Sequence, residues 1–179
     1  MAVLITDYAG IVKRAAAVLV DMYKEAAHDL RVALRADRGI AVTNRIPVGV
    51  FCEPYDVELG VEAMGVQVCE QRMLLVSLLN ADTAIYGAEG NAWFRFFHDL
   101  GHLLYQLEFT AEDENKLHQL LWCHLARTSS FNKLSLLEQE LVRIVYDADT
   151  TGQTNYFTEH GEFPADQTTF AIKYLEERI

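Results

Sequence analysis

The chain contains little proline and little cysteine. Its 179 residues include three of each, and the prolines stand at positions 47, 54 and 164. Because proline interrupts helices, this scarcity leaves long stretches free to be helical. The cysteines are Cys52, Cys69 and Cys123, and no two of them are spaced as C-x-x-C, which argues against a zinc knuckle or a thioredoxin-type redox site. We therefore expect a protein of a reducing, cytoplasmic compartment.

Long apolar runs and basic clusters are also missing. The longest apolar runs fall well short of the roughly 18 residues that span a bilayer, so we expect no membrane partner. The opening residues, Met-Ala-Val-Leu-Ile-Thr-Asp, lack the basic region of a signal peptide. The formal net charge is −11, whereas phosphate backbones are bound by clustered lysine and arginine. We therefore expect no nucleic-acid duplex as partner.

The spacing of apolar residues predicts about six helices in a single all-α domain over residues 1–179. Residues 8–38 have a helical period between a candidate N-cap, Asp7, and a candidate C-cap, Gly39. The other predicted helices cover about 58–80, 92–108, 111–127, 135–148 and a last stretch from Pro164 to the C-terminus. The predicted connections are 40–57, with room for one short strand, 81–91 and 149–163. Thr110 and Ser135 each begin a sequence typical of a helix capping box.

A polar stripe crosses the predicted helix 92–108, which is otherwise almost wholly apolar. At 3.6 residues per turn, one narrow face carries Arg95, His98, Asp99, His102 and Gln106. A helix that is apolar nearly all round is normally buried, and buried charge is costly unless it is paired or bound to a metal. His98 and His102, at i and i+4, are spaced to reach one divalent ion, and we expect Mn, Fe, Co, Ni or Zn.

The next predicted helix carries further carboxylate and imidazole side chains of the kind that bind metal ions. Its first turn holds Glu112, Asp113 and Glu114, and His118 follows Glu114 at i+4. Because the connection is short, we expect the two helices to be antiparallel neighbours, with this first turn near the end of the His-Asp helix. The register between them decides whether Glu114 reaches His102.

The motif His98-Asp99-Leu100-Gly101-His102 resembles that of the HD-domain metal-dependent phosphohydrolases, and most closely the form found in dNTP triphosphohydrolases. That superfamily is all-α. The resemblance implies that His98 and Asp99 are paired metal ligands and that His102 binds the metal, assists catalysis or binds phosphate. It also implies a downstream aspartate ligand, for which Asp147 and Asp149 are the candidates, with Arg143 placed to bind phosphate. The glycine allows a close approach of two backbones at a cost of about 1 kcal/mol relative to alanine.

The upstream histidine ligand of that superfamily has no clear counterpart here. His28 is distant in sequence, and Glu62 or Glu70 are conceivable substitutes. The chain also resembles small uncharacterised bacteriophage proteins, in which an aromatic-His-Asp-x-x-His helix is followed by Phe-(Ser/Thr) and a glutamate. That likeness favours Glu112 or Glu114 as the remaining ligand. A third comparison, the zincin helix His-Glu-x-x-His, is less favoured because no edge strand is predicted to bind a peptide.

These observations lead to a metal-dependent hydrolase of an HD-like all-α fold, acting on a small phosphate ester or anhydride such as a nucleotide. Metal-activated water would be the nucleophile, His102 the general acid or electrostatic clamp, and Arg95 and Arg143 the phosphate-neutralising cations. The alternative is a non-enzymatic acidic interaction or inhibitor protein, whose His-Asp stripe is a structural metal site or a buried polar network. A homo-oligomer is compatible with either.

Overall fold

The structure is a computed structural model that describes residues 7–43, 60–76 and 85–179. Within these ranges the chain is helical, with turns and short connections and no strand. The α-helices are α1 (Tyr8–Arg38), α2 (Gly60–Gln71), α3 (Gly87–Tyr105), α4 (Ala111–Leu125), α5 (Ser129–Asn132), α6 (Leu136–Asp147), α7 (Gln153–His160) and α8 (Gln167–Glu176). A π-helical segment, Ala148–Gly152, joins α6 to α7. The predicted all-α bundle is therefore confirmed.

Helix α1 is the central element of the bundle. It packs mainly against α3 and also contacts α4, α5, α6 and α8. Its caps are those predicted from the sequence: the Asp7 carboxylate accepts from the Gly10 N–H, and Gly39 ends the helix in the left-handed region at φ 69°. Its fully buried side chains include Leu19, Met22, Tyr23, Leu30 and Leu34. No helix in the described ranges has both the length and the apolar character needed to cross a membrane.

Two helix boundaries differ from the prediction in the first half of the chain. Helix α2 ends at Gln71 instead of about 80, because Arg72 adopts a left-handed φ of 53° and the chain continues without helix through the buried Leu74. Helix α3 begins at Gly87, within the predicted connection 81–91. Gly90 lies where this helix passes close to α1: an added Cβ would lie 2.7 Å from Val20 Cγ2, so the glycine serves a close approach instead of a loop. The described residues do not include 44–59 and 77–84. Most of the predicted loop 40–57, together with Cys52 and Asn80, therefore lies outside them.

The prediction of a loop over 149–163 is wrong for residues 149–160 and confirmed for 161–163, which are not helical. The chain continues there as the π segment and α7, because tertiary contacts accommodate its polar and glycine residues. The Thr150 hydroxyl donates to the Tyr146 carbonyl at 2.7 Å. Gly152 packs closely against Tyr174 and Phe170 of α8. The last helix starts at Gln167 with Asp166 as its N-cap, so Pro164 precedes that helix instead of lying in its first turn.

Candidate metal centre

Helices α3 and α4 position the candidate site. Their contacts advance in the same direction along both helices, from His98–Glu114 through Gly101–Leu117 to Tyr105–His124, so the predicted antiparallel pairing is wrong. The connection folds back along α3, where Phe109 packs on the His102 ring, before α4 begins.

Gln106 ends α3 in the left-handed region, at φ 53°, and its N–H donates to the His102 carbonyl. Thr110 then caps α4 by accepting from the Asp113 N–H. The two helices approach closely at Gly101, where an added Cβ would lie 2.7 Å from Leu121 Cδ2 and 3.0 Å from Leu117 Cδ1. The glycine of the motif therefore has the close-approach role expected from the sequence.

The carboxylate of Glu114 lies at the centre of three imidazoles. Its Oε2 is 2.9 Å from His98 Nε2 and 3.4 Å from His118 Nε2, and its Oε1 is 3.3 Å from His102 Nε2. The His102 side chain is fully buried and that of His118 nearly so, whereas His98 and Glu114 are 14 % and 18 % exposed. The register therefore does bring Glu114 to His102, as the short connection between the helices allows.

The hydrogen bonding of His102 determines which of its nitrogens can bind a cation. Its Nδ1 lies 2.6 Å from the backbone carbonyl oxygen of Leu107, which can only accept, so Nδ1 carries the hydrogen. In the neutral ring, Nε2 is then a lone pair, and it has no hydrogen-bond partner among the described residues. That lone pair faces an acceptor oxygen of Glu114 across 3.3 Å. Two acceptors facing each other in a buried site need a proton or a metal ion between them.

His98 is held in a similar way, by a carboxylate instead of a carbonyl. Its Nδ1 lies 3.3 Å from Asp99 Oδ1, and its Nε2 is directed at Glu114. Burial favours the neutral ring, but the hydrogen bonds to Asp99 and Glu114 outweigh it and raise the pKa of His98 to about 10. Burial also acts against ionised Glu114, but its contacts with the His102 and His98 imidazoles prevail and hold the pKa of Glu114 well below its usual range. Without a metal, a proton on His98 compensates the carboxylate.

The donor atoms of His98, His102 and Glu114 all lie within 4.8 Å of one another. Ligands of a zinc-like ion stand about 2.0–2.2 Å from the ion, so neighbouring ligand atoms are separated by roughly 3–3.5 Å. Glu114 is already near this separation from both histidines, although through different oxygens: Oε2 toward His98 and Oε1 toward His102. Two imidazoles and one carboxylate form a donor set that suits Mn, Fe, Co, Ni or Zn. The residues present therefore fit the divalent ion expected from the sequence.

Asp99 lies beside the group formed by His98, His102 and Glu114 and is not part of it. The contact of its carboxylate with His98 Nδ1 is the arrangement that orients metal-binding histidines in many sites. Arg95 lies one turn earlier on α3 and is half-buried. Burial lowers the pKa of Arg95, and the Asp99 carboxylate opposes that shift, so the two charges are near each other. The roles predicted for them, metal ligand for Asp99 and phosphate binding for Arg95, stay predictions.

The aspartates predicted downstream lie apart from the His-Glu group. Asp147 pairs with Arg143 at 3.8 Å on a largely exposed face of α6, where Arg143 also lies over the Trp122 ring. Asp149 is buried on the π segment and accepts from Gln153 Nε2 at 2.8 Å. Burial raises the pKa of Asp149 to about 6, although hydrogen bonds from Tyr86 and Gln153 oppose that shift. Their predicted roles as metal ligands, and that of Arg143 in binding phosphate, stay predictions.

The residues considered for the missing upstream ligand are all exposed: His28, Glu62 and Glu70. Glu112, a candidate for the remaining ligand, is exposed as well. Of the two glutamates that the phage-protein likeness favours, the structure brings Glu114 to the histidines. His118, in contrast, was not among the predicted site residues. Burial, together with the positive charge of His98, lowers the pKa of His118 to about 3, so its ring is neutral. The signal that could have identified His118 is its i+4 spacing from Glu114 on one helix face.

Comparison of the chain with protein-family models, with curated proteins and with solved structures finds no match. The function must therefore be argued from the site itself.

Proposed function

We propose that the protein binds one divalent metal ion through His98 Nε2, His102 Nε2 and one oxygen of Glu114. The observation that carries this proposal is the fully buried Nε2 of His102, which has its lone pair directed at a carboxylate oxygen 3.3 Å away. A metal ion converts this unfavourable contact between two acceptors into two coordinate bonds. The same ion replaces the proton that otherwise lies between His98 and Glu114.

We further propose that the metal centre is catalytic, in a hydrolase that acts on a phosphate ester or anhydride. A bound divalent ion lowers the pKa of a coordinated water toward neutrality and polarises a phosphoryl oxygen. The protein supplies three ligands and leaves positions open, which is typical of catalytic rather than structural sites. His98 and Glu114 are partly exposed, so solvent reaches the group from their side. The HD-like motif supports the same class of reaction.

The surrounding residues have separate tasks in this proposal. Asp99 orients the His98 ring, and the Leu107 carbonyl orients the His102 ring. Because both nitrogens of His102 are engaged and its side chain is fully buried, the geometry favours a ligand role for His102 over proton transfer. Arg95, near Asp99 on the partly exposed side, is the cation best placed to neutralise a phosphate. Nucleotides and simple phosphoesters are the substrates to screen.

Elemental analysis of the purified chain beside variants tests this proposal. We expect close to one equivalent of Mn, Fe, Co, Ni or Zn in the parent, and loss of that metal in His102→Ala and Glu114→Gln. His160→Ala is the matched control, because that histidine is exposed on α7 and bonds to its own helix carbonyl. A parent that contains no metal and takes none up would contradict the proposal. It would support the alternative, an interaction protein in which these residues form a buried polar network.

A further inference from the structure

His118 differs from His98 and His102 in its position: it lies on α4, on the same helix as Glu114. Its side chain is only 5 % exposed, and its Nε2 faces Oε2 of Glu114 at 3.4 Å, one helical turn away on α4. Its Nδ1 is buried and has no hydrogen-bond partner among the described residues. Its backbone carbonyl accepts from the Tyr146 hydroxyl at 2.9 Å, which anchors this turn of α4 to α6. The ring is thus fixed in position with one nitrogen directed at the carboxylate.

The surroundings of its two ring nitrogens indicate which nitrogen of His118 carries the hydrogen. With the hydrogen on Nδ1, a buried N–H would have no acceptor, and the Nε2 lone pair would face a carboxylate oxygen. With the hydrogen on Nε2, an N–H points at that oxygen, and only a lone pair is left without a partner, which is the smaller cost. A doubly protonated ring would also carry a hydrogen on Nε2. In every favourable form, therefore, His118 is a donor toward Glu114 and has no lone pair directed at the metal position.

We propose, on the basis of the metal centre described above, that His118 is a positioning residue that holds the Glu114 carboxylate through Oε2. The donor limits the rotation of the carboxylate, so that binding the ion requires less reorganisation of the glutamate. The contact of 3.4 Å is long for a hydrogen bond in the metal-free chain and closes when the ion fixes Glu114. Loss of such a partner typically costs 10- to 100-fold in metal affinity.

A pair of substitutions separates this role from simple packing. His118→Gln keeps an N–H donor, whereas His118→Met has a similar volume and no donor. We expect His118→Met to bind Zn²⁺ 10- to 100-fold more weakly than the parent, and His118→Gln to recover most of that loss. Equal affinities of the two variants, in a parent that does bind Zn²⁺, would overturn the proposal. A parent that does not bind Zn²⁺ or the other candidate ions would instead overturn the metal centre.

Nitrogen-15 spectra of the histidine rings in the full-length parent need no variant and so do not depend on the variants folding. In the metal-free chain we expect the hydrogen of His118 on Nε2. In the chain loaded with ¹¹³Cd²⁺, we expect one-bond-type coupling of the metal to His98 and His102 and none to His118. A His118 ring protonated on Nδ1 alone, or a metal coupling to His118, would overturn its role as a donor. The metal-free spectrum tests the His118–Glu114 contact even if no ion binds.

Discussion

The Nδ1 of His102 donates to the backbone carbonyl of Leu107 across 2.6 Å, five residues along the chain, where α3 gives way to the connection with α4. This bond fixes the tautomer of a fully buried ring and directs its other nitrogen at Glu114. Phe109 packs against the same ring, with the centroids 4.3 Å apart, and holds it in place. The turn between the helices therefore orients a metal ligand as well as linking α3 to α4.

Gly101→Ala is expected to disturb both the fold and the site. The added methyl would meet Leu121 and Leu117 at 3.0 Å or less, so these buried leucines must shift and disturb the packing of the turns of α4 that follow Glu114. Overpacking of this kind costs about 1–3 kcal/mol, partly offset by the better helix propensity of alanine. Urea unfolding should show a net loss of stability, and Zn²⁺ affinity should fall. Gly65→Ala is the matched control, because among the described residues its Cβ would meet only Leu103, at 3.7 Å, and that variant should be at least as stable as the parent.

Metal affinity should rise with pH. In the metal-free chain the pKa of His98 is raised to about 10, so His98 is protonated at neutral pH and must lose that proton to bind an ion. The Glu114 carboxylate is already ionised and releases none. We expect the Kd to fall by about tenfold per pH unit between pH 6 and 8. Calorimetry in buffers of different ionisation enthalpy should report about one proton released per ion, and binding without proton release would contradict this assignment.

Replacing Asp99 distinguishes an orienting residue from a metal ligand. If Asp99 acts through His98 Nδ1, Asp99→Asn keeps an acceptor oxygen and should weaken metal binding only slightly. Asp99→Ala should weaken it by 10- to 100-fold, since the His98 ring loses its support. Helical content by circular dichroism should be unchanged in both. If the asparagine variant lost the metal as completely as the alanine variant, Asp99 would be a ligand, as the HD-domain resemblance implies. Hydrolytic turnover, once a substrate is found, should disappear in Asp99→Ala.

The buried Asp149 should make stability depend on pH. Burial raises its pKa in the folded chain to about 6, above the usual aspartate value, so folding favours the protonated form. The contribution is fully present below about pH 4 and is lost as pH rises through 6. Relative to Asp149→Asn, the parent should lose about 1–3 kcal/mol of unfolding free energy over this interval. A difference between parent and variant that stays constant from pH 4 to pH 7 would show that Asp149 is already ionised throughout.

Local signals in the sequence predict much of the fold. The caps of α1 and the capping box of Ser135 with Glu138 depend only on residues within a turn of one another, and the structure contains them as predicted. The helical state of residues 149–160 is not predicted from local signals because it depends on packing against α8, whose Phe170 and Tyr174 lie about Gly152. Helix α5 was missed for a similar reason: the Glu25 carboxylate of α1 accepts from the N–H groups of Ser129 and Ser130 that begin α5.

The candidate site, like the fold, can be predicted from the sequence only where it depends on local spacing. The i, i+4 pairs His98/His102 and Glu114/His118 are visible in the sequence, because each lies on one helix. The meeting of the two pairs depends on the α3–α4 register, which the Gln106 turn and the close approach at Gly101 determine. The separate positions of Asp147 and Asp149 follow from the packing of α6 and the π segment, which no local pattern reveals.

A crystal of the parent chain soaked with Zn²⁺ or Mn²⁺ tests the central claim most directly, through the anomalous signal of the ion. The account predicts one ion about 2.0–2.2 Å from the Nε2 atoms of His98 and His102 and from an oxygen of Glu114, with at least one further position held by water. An ion bound elsewhere, or no ion at saturating concentration while His102 keeps its bond to Leu107, would contradict it.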